Sequence, residues 1–288
     1  VITMFSNAKT NEKIAFGLLK LATGLVVLFV LVILYYIVSN GYSALSIEFI
    51  TEMPRHRMTE GGIYPAIIGT TYLIIGSIAV ALPLGMLSAI YLTEYAKPGK
   101  TTWAIEMAIS NLAGTPSVVF GLFGLAMFVK YLDFGPSILS ASLTLALLIL
   151  PVIIRASQEA LLTVPKEYRE ASLALGVTKW ETIRRVVLPA AIPGMITGAI
   201  LSIGRVAGET APILLTGAAY FLPRLPDSIY SQFMALPYHL YVLATSGTNI
   251  TQTRPIQYGT ALILLIIVLS VNVVAVTVRS HYRKKLKR

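Results

Sequence analysis

Six stretches of the chain are apolar for long enough to cross a lipid bilayer, near residues 16–38, 65–91, 109–130, 137–154, 193–215 and 259–278. The first has no A-x-A-like cleavage site and reads as a retained anchor, not a removed signal peptide. In the second, Ser77, Ala81, Gly85 and Ala89 recur every four residues. Such a stripe lets another helix approach closely, and Pro83 is expected to kink the span. Residues 103–113 read as an interfacial helix leading into the third span, with a break at Gly114-Thr115-Pro116-Ser117. Arg155 closes the fourth. The pattern predicts an all-α polytopic membrane bundle of about six transmembrane helices.

One long polar passage interrupts it. Val164 to Pro189 reads as two short amphipathic helices within a loop spanning 155–190. Pro165 suits a first helical turn, and Gly176 suits a left-handed C-cap. Thr178 with Glu181 has capping-box spacing. Tyr168, Ala171, Ser172 and Leu175 line one face of the first helix; Trp180, Ile183 and Val187 line a face of the second. Those faces must pack on the chain's own spans or on a partner.

Residues 226–245 are apolar enough to suggest a seventh span, but contain Gln232, Pro237 and His239. Charge decides against it. With six spans and both ends inside, only Arg55, Arg57, Lys130, Arg224 and Arg254 of the 23 Lys and Arg fall outside, and Arg205 lies within a span. A seventh span would carry the basic tail 279–288 to the outside, against the positive-inside rule. Residues 216–258 are therefore expected to form a long outer loop. Its helix would lie on the membrane face or dip into it, with His239 as an amphipathic interface residue. Residues 1–15 form an inner N-terminal segment and 16–278 the transmembrane domain. His56, among the charges of the 39–64 loop, reads as solvated.

Composition agrees: 56% of the 288 residues are hydrophobic, 12% are charged, and the mean hydropathy is +0.75. A soluble domain cannot hide that much apolar surface. The net charge of +10 sits beside spans, so topology explains it without nucleic acid. With no Cys, disulfides and thiolate metal sites are excluded. Gly99-Lys100-Thr101 resembles the end of a phosphate-binding P-loop. Position 94 is Glu where Gly is required, so the chain is expected to have no ATP site of its own. No H-E-x-x-H motif points to a metalloenzyme.

The chemistry that remains is Arg205 and Glu209 in the fifth span. Each costs about 2.5–3.5 kcal/mol to insert. Two roles are open: an ion pair stabilising the bundle, or a place on a substrate path or gate. Gly194, Gly198, Gly204 and Gly208 nearby allow close helix packing. Arg205 offers a planar fork suited to an oxyanion. Snorkelling from a span end also accounts for Arg155.

Glu170-Ala171-Ser172, three residues, Gly176, nine residues, Val186, one residue and Leu188-Pro189 resemble the EAA loop of ABC-importer permeases, EAA-x3-G-x9-I-x-LP. Ser172 and Val186 depart from that pattern mildly. The segments GTPSVVFGLFGL (114–125), LPVIIRASQEAL (150–161) and GRVAGETAPILLTG (204–217) resemble the phosphate-transport permeases of that family. The resemblance implies that Glu170, Ala171, Gly176, Leu188 and Pro189 belong to a helix pair that docks on a cytoplasmic ATPase. It implies Arg205, Glu209 and Arg155 on the phosphate path. It also implies a second permease subunit, two copies of the ATP-binding subunit, an extracytoplasmic phosphate-binding protein, and a plasma (inner) membrane location. No cofactor is expected on this chain; ATP is used by the partner. A permease for sulfate or molybdate, and a proton-coupled secondary transporter using Arg205 and Glu209 as a relay, are the rival readings.

Overall fold

The computed structural model describes residues 2–58, 60–245 and 250–285, with side chains described for 10–56, 58, 60–245 and 253–281. Lys287 and Arg288 of the basic tail, and the side chains of Arg283, Lys284 and Lys285, lie outside the described residues. Five long helical stretches are apolar enough to cross a membrane: 10–44, 64–95, 138–162, 179–208 and 253–281. A further candidate, either a broken span or a re-entrant loop, is the pair α4 (Lys100–Ala113) and the helix that starts with α5 (Ser117–Gly124) and runs on to Tyr131. They meet at 104°. Pro116 explains the break: it caps α5 at φ −57, ψ 140, and the residue before a proline is pushed out of helical geometry. The expected interfacial helix thus stands nearly perpendicular to the segment that follows it.

The bundle centres on α6 (Ile138–Leu162), which packs between α3 (Tyr64–Ile90) and α9 (Leu188–Gly208). Small residues set these distances. Ser77, Ala81, Gly85 and Ala89 of α3 are all buried. A Cβ on Gly85 would stand 2.6 Å from Ile153 Cγ2. On α9, a Cβ on Gly194 would meet the Ala160 methyl at 2.6 Å, and one on Gly198 the Ala156 methyl at 2.5 Å. Gly204 and Gly208 differ from expectation: nothing lies within 4 Å of either missing Cβ. They pack on no helix among the described residues.

Several boundaries shift from those expected. α1 (Ile2–Gly41) is one continuous helix that absorbs the polar N-terminal segment. It is exposed along its apolar length and meets α12 (Ile250–Lys285) near Gly41, where Tyr36 and Tyr258 stack edge to face at 5.5 Å. α6 runs past Arg155 to Leu162, so Arg155 lies within a helix, not at its end. The helix that carries the fifth span begins at Lys179, ahead of the apolar stretch expected from Pro193. It continues through α8 (Lys179–Thr182) and a π-helical turn at 183–187 into α9. It stops at Gly208, and the short α10 (Ala211–Thr216) follows with Pro212 near its start. Gly121 of α5 abuts α10 at Pro212 and Ala211, so the broken third and fifth segments pack on each other.

Residues 39–64 hold a one-turn helix, α2 (Ile47–Thr51), and a two-stranded hairpin pairing Pro54 with Gly61 and Arg55 with Glu60. His56 at its tip is exposed beside Glu60 at 3.5 Å. The stretch after α10 is not merely a surface loop. Phe233, Met234, Ala235 and Leu236 are at most 1% exposed, and α11 (Leu236–Thr245) packs between α3 and α12. His239 is 2% exposed, which overturns its reading as an interface residue. Neither ring nitrogen has a hydrogen-bond partner among the described residues. Burial pushes its imidazole down to about 4, so it is neutral at neutral pH.

The α6–α9 contact predicts a test. Gly198→Val should destabilise the bundle by about 1–3 kcal/mol, the usual cost of overpacking. A lowered midpoint of thermal unfolding in detergent would show this. An unchanged midpoint would mean that the two helices separate without penalty.

Candidate functional site

Two constellations carry the charged chemistry. The first surrounds the end of α9. Arg205 sits in its last turn, where a cation complements the C-terminal carbonyls. Glu209 lies beyond the helix in extended geometry, φ −74 and ψ 130, with its amide donating to Val206 O at 3.3 Å. The pair expected on one helical face therefore straddles a helix end. It still closes: Arg205 Nε lies 3.4 Å from Glu209 Oε1, with the side chains 35% and 16% exposed. This is a one-point contact. The two Nη groups of Arg205 make no hydrogen bond among the described residues, and a Cβ on the flanking Gly204 or Gly208 would meet nothing within 4 Å. A guanidinium fork with unengaged donors can take two oxygens of a tetrahedral anion.

Arg155 is arranged differently. Its Nη1 pairs with Glu106 Oε2 and reaches Gln158 Oε1 at 3.2 Å. Its Nη2 donates to Glu106 O at 2.9 Å and to Ser110 Oγ at 2.6 Å. Gln158 closes the ring by donating to Glu106 Oε1 at 2.7 Å. The network bolts α4 to α6. Arg155 makes no contact with Arg205 or Glu209 among its described partners. Glu106 and Gln158 were missed from the sequence, although a lone acid in the apolar 103–113 stretch was a natural counter-ion to seek.

The second constellation is the helix pair α7 (Lys166–Ala174) and α8. Its local geometry follows its residues. Pro165 caps α7, and Gly176 turns the chain at φ +78. Thr178 Oγ1 accepts from the Glu181 amide at 3.3 Å, as the capping-box spacing predicted. The apolar residues divide into two sets. Ile183 and Val187 are at most 1% exposed and join the core beside Leu161 and Val164. Ser172 and Thr182 are bonded hydroxyl to hydroxyl at 2.9 Å, holding α7 to the start of the next helix. Tyr168, Leu173, Leu175 and Trp180 point outward, Leu175 at 83% exposure. Glu170 and Ala171 are exposed with them, while Leu188 and Pro189 are half-buried at the start of α9. Four large apolar side chains are exposed on this small element. The sequence left open whether the faces packed inward or on a partner; Ser172, Ile183 and Val187 pack inward, while Tyr168, Leu175 and Trp180 are exposed.

Residues 81–288 match the family of binding-protein-dependent transport system inner membrane components. The chain belongs to this family, the permeases of ABC importers, and is a multi-pass membrane protein. It is 36% identical to the probable ABC transporter permease protein YqgI of Bacillus subtilis, over 97% of this chain and 99% of that one. It is 40% identical to the phosphate transport system permease protein PstA 1 of Mycobacterium tuberculosis, over 76% and 71% of the two chains. The fold is shared with a chain of the MetNI methionine ABC transporter, at TM-score 0.57 and 19% identity over 77% of this chain and 94% of that one. A bacterial alginate ABC transporter gives TM-score 0.60 at 14% identity, over 91% and 94%.

The turn at Gly176 generates a prediction. A side chain has room there, but left-handed geometry costs an L-residue about 1–2 kcal/mol. Gly176→Ala should loosen the helix pair by that amount. Gly176→Pro, with φ fixed near −65°, should unfold it. Amide hydrogen exchange across 166–182 reads both. Equal protection in all three proteins would show that the turn does not depend on glycine.

Proposed function

We propose that the chain is the transmembrane permease subunit of an ATP-driven phosphate importer. It forms the translocation path with a sister permease, and both its ends lie in the cytoplasm. A phosphate-binding protein delivers the anion to the outer face. Two copies of a cytoplasmic ATP-binding subunit dock on the coupling helices, one on each permease. The chain binds no cofactor and is not an enzyme; the ATP is consumed by the partner.

The observation that carries the substrate assignment is the unengaged fork of Arg205 within a membrane span. A charge that is costly to insert and only singly paired is poised to exchange its partner for a ligand. Glu209 neutralises Arg205 before the anion arrives and repels the anion afterwards, so that it does not stay bound. Relatives named as phosphate transport permeases support the choice of anion. Arg155 is assigned to the path by the family resemblance alone; in the structure it fastens α4 to α6, and to take an anion it would have to release Glu106. The exposed Tyr168, Leu175 and Trp180, beside Glu170 and Ala171, are the docking patch for the ATPase.

Phosphate uptake at low external phosphate, in cells lacking this chain and in cells given it back, tests the assignment. Restored uptake should vanish on ATP depletion and survive collapse of the proton gradient. Uptake blocked better by sulfate or molybdate than by unlabelled phosphate would overturn the anion. Arg205→Ala should abolish uptake, a loss of at least about a hundredfold if the fork's charge-assisted bonds contribute about 3 kcal/mol, while the assembled complex is still recovered. Normal uptake by this variant would remove Arg205 from the path.

A further inference from the structure

Glu94 stands in the π-helical turn 91–95 that prolongs α3. Its side chain is 8% exposed. Glu94 Oε1 accepts from Arg169 Nη2 at 2.7 Å and from Arg169 Nε at 3.1 Å, with Oε2 3.4 Å from Nε, an ion pair across 75 residues of sequence. Arg169 belongs to α7. Its remaining donors reach Leu161 O at 2.9 Å and Val164 O at 2.8 Å, carbonyls at the end of α6. From the other side, Lys179 of α8 donates to the Glu94 carbonyl and lies 4.9 Å over the Tyr95 ring. One residue therefore receives a cation from each helix of the pair.

Net stability is a poor explanation for this arrangement. A buried ion pair often contributes little against its desolvation, and what it secures is fixed geometry. Geometry is what α7 otherwise lacks. Among its residues only Ser172 is buried, and its large apolar side chains face away from the bundle. Without Glu94, α7 would keep its hydroxyl contact to α8 and the Arg169 bonds to Leu161 O and Val164 O, but no side-chain tie to the α3 end. A cavity of about 310 Å³ beside the pair, lined by Thr93, Leu162, Lys166 and Glu170, would let water replace a shortened residue 94. Repacking would not close the gap.

We propose that Glu94 is the positioning residue that makes the α7–α8 pair and the α3–α6 core move as one body. A push on the exposed patch then reaches the spans instead of being absorbed in the loop. The inference rests on the reading of α7–α8 as the ATPase docking element.

The test uses the complete transporter in vesicles, with its sister permease, ATPase, binding protein and labelled phosphate. Uptake and ATP hydrolysis are measured together for wild type, Glu94→Ala, Glu94→Gln and Glu94→Asp. Phosphate moved per ATP should fall about tenfold in Glu94→Ala, within the usual range of inter-site coupling, with hydrolysis retained. Glu94→Asp, which keeps the charge, should recover part of the ratio. Amide exchange across 166–174 should quicken in Glu94→Ala. An unchanged ratio would overturn the proposal, and so would uptake and hydrolysis falling together. If Glu94→Ala does not assemble, the isosteric Glu94→Gln is judged by the same ratio. Should wild-type vesicles show no ATP-driven uptake, the transport reading fails. The exchange comparison then decides the latch alone, and unaltered exchange at 166–174 overturns it.

Discussion

The close approach of α6 to α3 and α9 is the contact on which the rest of this structure depends. Lipid gives helices no hydrophobic reason to associate, so what holds them is packing at short range. Gly85 lies against Ile153, Gly194 against Ala160 and Gly198 against Ala156, at separations that leave no room for one more carbon. Because α6 lies between the two, its ends fix the ends of its neighbours. Arg155 then fastens α4 to it, and the carbonyls of Leu161 and Val164 at its end accept from Arg169. The polar devices are attached to a frame that small side chains have already set.

Charge is distributed on this frame according to how completely it is matched. Arg169 and Arg155 each have several acceptors and hold elements in place. Arg205 has one long contact through a single nitrogen. The difference in engagement, more than the presence of an arginine, separates a fastener from a group able to exchange partners.

The legible part of this fold was the part encoded within a turn or two of chain. The stripe at Ser77, Ala81, Gly85 and Ala89, the turn at Gly176, and the Thr178–Glu181 cap are all local, and each was found where its spacing placed it. The long-range pairs were not. Glu106 with Arg155 spans 49 residues and Glu94 with Arg169 spans 75, and nothing in the periodicity of either helix specifies the other. Glu94 was noticed only as the residue that spoils a P-loop pattern. The end of α9 was missed for a different reason. Arg205 and Glu209 have the spacing of a continuous helix, and the interruption is signalled three residues later by Pro212, which suits the first turn of a new helix. His239 was misread because a histidine among Tyr and Pro looks superficial until the helices around it are known.

The central place of α6 also bears on how the chain is made. α3 leaves the ribosome well before α6, and its small-residue face then has only lipid beside it. That face consists of Ser77, Ala81, Gly85 and Ala89, and Ser77 already donates its hydroxyl to Leu73 O at 2.6 Å within its own helix. It leaves no polar group unsatisfied in hydrocarbon. It therefore loses little by waiting. A surface packed this closely in the finished protein can thus stand alone in the bilayer until its partner is inserted.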